Sequence, residues 1–386
     1  MKAKLSIYAI CFNMLIYLVL SVSIAGAVAA FPDASPTTVQ YLLTVPSLAC
    51  LVGSFLVPAL SGRLSQKTLS LGAQLLSLFG AAIYVVWPYS LPLLFAASVV
   101  MGLAYGVLST TFPLLVSIHI SPAQQNHVMG IASGMVQFGR LFSLFLAGLL
   151  GDIRWNYVYL TYVLVVAAMC IVAPCLPPDQ PIRTAQDGKS QYRSFLKNPG
   201  IWEIILADFV FGILYFITNT HISLYIESYG FGSASTTGAI TSVACGVAGA
   251  AACLFAPIYR ATKKRTLCLI FLLMGVGYVV IGGVVRLPAA IFGVMCSSIA
   301  AAVFTPYILA RAAEVSTPAT APMAVSLAVA CLSVGFFVSP AISDLVSTAA
   351  GGSISAVYLV AGIVSLVIFA ALFLFGSFRR TRSSAV

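Results

Sequence analysis

Two ionisable side chains, Arg140 and Asp208, lie deep inside long apolar runs of this sequence. Arg140 lies near the middle of a run at residues 127–150, and Asp208 lies eight residues into a run at 201–225. An arginine at the centre of a bilayer costs roughly 2.5–3.5 kcal/mol on insertion scales, so we expect it to have a function. Its fork of donors suits a carboxylate, a phosphate or a similar oxyanion. A desolvated carboxylate can bind an amino group or titrate as a proton site.

Several other polar side chains could complete a solute site around these two charges. Gln137 lies one turn before Arg140, and Tyr215 shares a helical face with Asp208 at ~100° per residue. The predicted solute-binding residues are Arg140, Asp208, Gln137, Asn13, Tyr17, Tyr105, Tyr215, Asn219 and Tyr307. Asp208 is also the candidate proton-coupling residue. The alternative role for the two charges is a structural ion pair that holds the protein together.

The composition shows what kind of element must position these residues. With 61% hydrophobic and 7% charged residues among 386, the chain cannot be water-soluble, since globular domains carry roughly 25% charged residues. Runs of about 20 apolar residues can each cross a bilayer. We place twelve such spans at residues 5–29, 38–61, 68–87, 91–116, 127–150, 156–176, 201–225, 235–259, 266–285, 288–311, 323–346 and 354–377. The sequence therefore predicts an all-α integral membrane protein.

The basic residues predict the orientation of these spans. If both termini are cytoplasmic, sixteen of the 19 Lys and Arg residues fall on the cytoplasmic side. This asymmetry follows the positive-inside rule, so the net charge of +10 reports topology and does not indicate a nucleic-acid partner. The first run could instead be a signal peptide, but it is longer than such a segment needs to be.

Two basic loops carry the same pattern, which indicates an internal repeat. Arg63 and Lys67 follow the second span, and Arg260 and Lys264 follow the eighth. Six spans precede and six follow one polar stretch, so we predict parallel repeats related by an axis along the membrane normal. The expected domains are a six-helix bundle at 1–176, a cytoplasmic central loop at 177–199 and a second six-helix bundle at 200–386.

Twelve spans in two halves, with a basic motif after the second and eighth, resemble the major facilitator superfamily over nearly the whole chain. The resemblance implies that spans one, four, seven and ten line a cavity and that the halves rock in alternating access. It also implies a working monomer. The family's loop motif reads Gly-x-x-x-Asp-Arg-x-Gly-Arg-Arg/Lys, and in the family its charges hold neighbouring helices together at the cytoplasmic side. Here Arg63 and Lys67 are kept, while Gly62 replaces the aspartate.

Two further family motifs depart from the pattern of a drug exporter. The fourth-span motif Arg-x-x-x-Gly-x-x-x-Gly keeps Gly102 and Gly106, but Ser98 stands where the resemblance would place a proton-coupling arginine. The fifth-span motif Gly-Pro-x-x-Gly-Gly begins at Gly139, and Arg140 stands where the proline should be. Both departures argue against a standard drug/proton antiporter.

These observations predict a secondary transporter for a small anionic or zwitterionic organic solute, with a proton as a candidate coupling ion. The alternative is a multidrug/proton antiporter that exports lipophilic compounds. An intramembrane enzyme is the alternative outside transport, but the chain has no carboxylate dyad or Gly-x-Ser-x-Gly elbow. We therefore expect no enzyme activity and no cofactor. We also expect no metal site, because the nine cysteines include no Cys-x-x-Cys pair. The short loops fit a bacterial inner membrane.

Overall fold

The structure is a computed structural model that describes residues 2–179, 199–262, 265–316 and 321–383. All regular elements in these ranges are helices. The α-helices are Lys2–Phe12, Ile24–Ala30, Pro36–Ser61, Gln66–Val86, Leu91–His119, Pro122–Gly151, Val163–Cys175, Pro199–Ser228, Ala234–Cys253, Phe255–Thr262, Thr266–Gly283, Leu287–Val315, Ala321–Ala349 and Ile354–Ser383. Ile16–Val22 and Trp155–Tyr162 are 3₁₀ helices.

Twelve helices in the described ranges are long and apolar enough to cross a membrane. They begin at Lys2, Pro36, Gln66, Leu91, Pro122, Trp155, Gly200, Ala234, Thr266, Leu287, Ala324 and Ile354. This confirms the predicted all-α membrane fold, and we keep the ordinal names of the spans. We call the side that carries the loops of Arg63 and Arg260 the basic side.

The first span is not the continuous helix that the sequence predicts. It leaves α geometry after Phe12 and continues as the 3₁₀ helix Ile16–Val22. The Asn13 amide nitrogen donates to the Ala9 carbonyl at 3.3 Å, so this side chain competes with the backbone for a helical acceptor. The sixth span also contains a 3₁₀ helix, Trp155–Tyr162, which forms its first part. The 3₁₀ helices of the first and sixth spans pack against each other.

The eighth span ends earlier than the predicted limit of residue 259. Its helix stops at Cys253, and a separate helix runs from Phe255 to Thr262. Leu254 lies in a turn between the two helices. The loop residue Arg260 is therefore carried by a short helix of its own.

Contacts between Cα atoms group the chain into two compact units. One comprises Met1–Gly188 with Gly232–Ser242, and the other comprises Lys189–Phe231 with Val243–Val386. Within the first unit, the second and fourth spans pack closely because a Cβ at Gly102 or Gly106 would overlap the backbone of Pro46 or Cys50. These are the glycines of the fourth-span motif, and they permit a close helix crossing.

Candidate functional site

Arg140 lies where the first and fifth spans of the first unit cross. The preceding residue, Gly139, faces the backbone carbonyl of Phe12 so closely that any Cβ there would overlap it. The glycine therefore sets the distance between the two helices. Arg140, which is half-buried, is placed beside the first span by this crossing.

Three of the predicted site residues come together in the first unit. The rings of Tyr17 and Tyr105 have centroids 4.9 Å apart. Tyr105 also lies within electrostatic range of Arg140. We call Arg140, Tyr17 and Tyr105 the arginine–tyrosine group. It combines a permanent cation with two phenol hydroxyls, which is a suitable set of donors for an oxyanion.

Gln137 and Asn13, the other two predicted residues of the first unit, each lie within one turn of a member of the arginine–tyrosine group. Their surroundings differ. Gln137 is half-buried one turn before Arg140. Asn13 is 4% exposed, and its amide nitrogen donates to the Leu164 carbonyl of the sixth span at 3.2 Å. Its Oδ1 atom has no hydrogen-bond partner among the described residues. Asn13 thus joins the break in the first span to the sixth span.

Asp208 is buried in the second unit, with 2% of its surface exposed. Its Oδ2 atom has no hydrogen-bond partner among the residues that the structure describes. The carboxyl lies near Cys331 of the eleventh span. Burial of a polar atom without a hydrogen bond costs free energy, so this position is unfavourable for folding alone.

The remaining predicted residues of the second unit fall into two places. Tyr215 follows Asp208 along the seventh span, with its ring 5.6 Å from that of Phe211, and Asn219 is buried one turn later. Tyr307 is also buried, but its ring lies 6.3 Å from that of Tyr259 at the basic side. Tyr307 therefore belongs to a charged cluster at that side.

That cluster joins the seventh span, the short helix Phe255–Thr262 and the helix of the tenth span, all in the second unit. Arg311 contacts Glu314 at 2.5 Å, the local pair that the three-residue spacing indicates, and Glu203 at 3.3 Å. Tyr259 donates to Glu314 at 2.6 Å. This hydrogen bond, together with burial, raises the pKa of Tyr259. Sequence reasoning missed Glu203 and Tyr259 as partners because they are distant in the chain.

The basic loop of the first unit contains an acid that the motif itself lacks. The Asp179 carboxylate accepts the backbone N–H groups of Gln66 at 2.6 Å and Lys67 at 3.1 Å. The Lys67 ammonium donates to the Leu176 carbonyl at 2.6 Å. The end of the sixth span is thus tied to the start of the third. An acid directly after an apolar run was the only sequence signal for this contact.

The other loop-motif residues contribute less to the described contacts. Arg63 and Arg260 are exposed, and Lys264 lies outside the described residues.

In the fourth span, Ser98 donates to the Leu42 carbonyl at 2.9 Å and lies 2.5 Å from the Tyr84 hydroxyl. Neutral hydrogen bonds therefore occupy the position at which the family motif has arginine.

The structure has the fold of known solute transporters. The nucleoside transporter NupG aligns with a TM-score of 0.78 over 96% of this chain and 99% of its own, at 12% identity. A POT family transporter in complex with 5-aminolevulinic acid gives 0.73 over 95% of each chain at 13% identity. A D-xylose-proton symporter gives 0.72 over 95% of this chain and 96% of its own at 14% identity. No curated protein sequence matches the chain significantly.

The family model described as Major Facilitator Superfamily matches residues 5–263. This range covers more than half of the chain and includes both the arginine–tyrosine group and Asp208. Twelve membrane-spanning helices and three transporters of similar fold agree with that match. The chain therefore belongs to the Major Facilitator Superfamily and is a multi-pass membrane transporter.

Proposed function

We propose that this transporter carries a small organic solute with an anionic group, which binds at the arginine–tyrosine group. The observation that carries the proposal is Arg140 in the middle of an apolar span and within electrostatic range of Tyr105, whose ring lies 4.9 Å from that of Tyr17. An always-protonated guanidinium can bind a carboxylate or phosphate through two parallel hydrogen bonds. Gln137 and Asn13 are the further candidates in the first unit.

Asp208 is the residue that we propose for the second charge or for coupling. A buried carboxylate with an oxygen that lacks a hydrogen bond can accept the amino group of a zwitterion or take up a proton. Tyr215, Asn219 and Tyr307 are the further candidates in the second unit. Among proteins of similar fold, one binds 5-aminolevulinic acid, which carries an amino and a carboxyl group, and another is a proton symporter. Alternating access is the proposed mode of transport.

The test is uptake of radiolabelled solutes into proteoliposomes, with a panel of carboxylates, amino acids, short peptides, sugars and lipophilic cations. We expect uptake of a carboxylate-bearing solute by the native protein and a loss of roughly tenfold or more in Arg140→Gln, since a charge-assisted bidentate contact disappears. Arg154→Gln is the matched control, because the Arg154 guanidinium donates instead to Tyr89 at a helix end. Arg140→Gln with native uptake would make the arginine structural.

Asp208→Asn distinguishes its two proposed roles in the same assay. If the carboxylate binds an amino group, the variant should lose zwitterions but keep simple carboxylates. If the carboxylate carries the coupling proton, the variant should retain exchange of labelled for unlabelled solute and lose uptake driven by a proton gradient. Native behaviour in both assays would exclude both roles. Export of lipophilic cations alone would favour a multidrug antiporter.

A further inference from the structure

The first residues of the eighth span belong to the first unit, where they pack on the fifth span. A Cβ added at Gly238 would lie 2.8 Å from the Gly148 Cα atom. One turn later in the eighth span, Ser242 donates to the Leu141 carbonyl at 2.9 Å. Ala234, Gly238 and Ser242 are spaced four residues apart, so three small residues share the face of the eighth span that meets the fifth. The two helices therefore approach at backbone distance.

Asp152 closes this contact at the side opposite to the basic side. It follows the last helical residue of the fifth span, and its carboxylate accepts the Ser235 backbone N–H at 3.1 Å. The Ser233 and Ser235 hydroxyls and the Ala234 backbone N–H also bond to it. Ser235 is the second residue of its helix, where backbone N–H groups lack intrahelical acceptors. A carboxylate there also complements the helix dipole.

No basic side chain in the surrounding segments accounts for the position of this carboxylate. Residues 232–242 contain no titratable side chain, and the fifth span has none between Arg140 and Asp152. The stretch of the first span that faces Gly151 contributes Ser23, which is uncharged. Arg154 is nearest in sequence, but its guanidinium donates to Tyr89 at 3.0 Å and covers the Tyr157 ring. Helix amides and serine hydroxyls therefore bind Asp152.

We propose that Asp152 and Gly148 of the fifth span, with Ser235 and Gly238 of the eighth, form a latch that must open once in every transport cycle. This inference rests on the alternating access proposed above, because only such a mechanism requires the contact to break. Asp152 is then a positioning residue, which acts on the eighth span and not on the solute. Its removal should favour the state in which these two helix ends are apart.

The acid dependence of the latch follows from its hydrogen bonds. Burial raises the pKa of Asp152, but the hydrogen bonds from Ser235, Ser233 and Ala234 have the larger combined effect. They bring the pKa below its usual value of 3.8. The carboxyl of the folded protein is thus easier to ionise than that of the unfolded chain. The stability that the ionised carboxylate contributes is complete above pH ~4, and it is lost as the pH falls through the lowered pKa. The latch should be indifferent to pH between 5 and 8.

The experiment measures closure without any solute. A Cβ at Gly151 would lie 3.0 Å from that of Ala234, so a small outward shift brings the pair to the ~3.5–4.5 Å of disulfides. Gly151→Cys with Ala234→Cys should therefore form a disulfide in membrane vesicles when the latch is closed. A protease site in the central loop allows detection, because the two fragments stay joined only when cross-linked. The native chain with the same protease site reports any contribution from its own cysteines.

We expect cross-linking of the cysteine pair to slow roughly tenfold in Asp152→Ala, because several hydrogen bonds to a charged group disappear. Asp152→Asn should fall between Ala and native, since an amide oxygen still accepts. Asp33→Ala, which removes an exposed carboxylate, is the matched control and should not change the rate. The ratio of the native to the Asp152→Ala cross-linking rate should be constant from pH 8 to 5, because the fraction of reactive thiolate changes equally in both backgrounds.

Gly148→Val is a second variant that blocks the same contact by bulk and should also slow cross-linking. An unchanged rate in both Asp152→Ala and Gly148→Val would overturn the latch whatever the solute is. Slow cross-linking in both variants supports the latch even if no anionic solute is transported. The failure of the latch and the failure of the proposed solute class are therefore distinguishable.

Discussion

The crossing of the first and fifth spans and the crossing of the seventh and eleventh are two copies of one arrangement with opposite charges. At the first, Gly139 faces the Phe12 carbonyl, and at the second, Gly335 faces the Phe209 carbonyl. The residue after each glycine differs, because Arg140 follows the first and Phe336 follows the second. The backbone approach is duplicated, whereas the charge is not. The glycines thus belong to the scaffold, and Arg140 is a specific addition.

The same comparison gives a residue register for the two copies. Because Phe12 and Phe209 occupy equivalent places, Asp208 corresponds to Cys11, which is fully buried. Each crossing therefore carries one charge, a cation on the fifth span in one copy and a carboxyl on the seventh span in the other.

The largest expected effect comes from breaking the crossing that both copies share. Gly139→Ala should destabilise the protein by about 1–3 kcal/mol, because the new methyl group must displace the Phe12 backbone. The melting temperature of detergent-solubilised protein measures this. Gly134→Ala, on the same helix but facing open space, is the matched control and should be neutral or stabilising. An equal effect of both variants would mean that the close approach is not required.

A second variant makes the first copy resemble the other. Arg140→Phe should fold, since the aromatic ring of Phe336 packs at the equivalent place with its centroid 4.6 Å from that of Phe216. Uptake of the anionic solute should nevertheless fall by roughly tenfold or more. Melting temperature and uptake must be measured on the same preparation. Loss of folding, with normal folding of the control Arg154→Phe, would show that the guanidinium supports the structure.

The smallest effect is expected when the crossing of the seventh and eleventh spans receives the residue that the other crossing has. Asp208→Cys replaces the buried carboxyl by the residue of the first copy, which should raise stability by about 1 kcal/mol as an unsatisfied oxygen is removed. Asp344→Cys removes an exposed carboxylate and should change little. Thermal denaturation of both variants provides the comparison. A clear loss of stability in Asp208→Cys alone would instead indicate a stabilising ion pair.

The spans and the family were predictable because they depend on local composition and short motifs. Hydropathy marks each span by itself, and the pair Arg311–Glu314 follows from three-residue spacing on one helix. Contacts between distant segments were not predictable in this way. The partners of Asp179 and Glu203 lie more than 100 residues away in the chain, and the break at Asn13 involves a single amide side chain.

The candidate site was predictable only as a set of residue types. A charge in an apolar run is costly, which singles out Arg140, whereas Tyr17 and Tyr105 are predicted only as hydroxyls on spans that line the cavity of the family. The structure brings these three together, whereas it places Tyr307 with a charged cluster at the basic side. Membership of a cavity-lining span does not identify the side chains that each hydroxyl contacts, so a single sequence cannot separate these cases.

The paired 3₁₀ segments of the first and sixth spans affect how far these spans reach across the membrane. A 3₁₀ helix rises ~2.0 Å per residue and an α-helix ~1.5 Å. Over the 7 residues of Ile16–Val22 and the 8 of Trp155–Tyr162, each span gains roughly 3.5–4 Å in length. Spans of 21 residues can thereby match a thicker hydrocarbon layer with less tilt. Return of either segment to α geometry would shorten that span by the same distance, which makes bilayer thickness a quantity to which this transporter should respond.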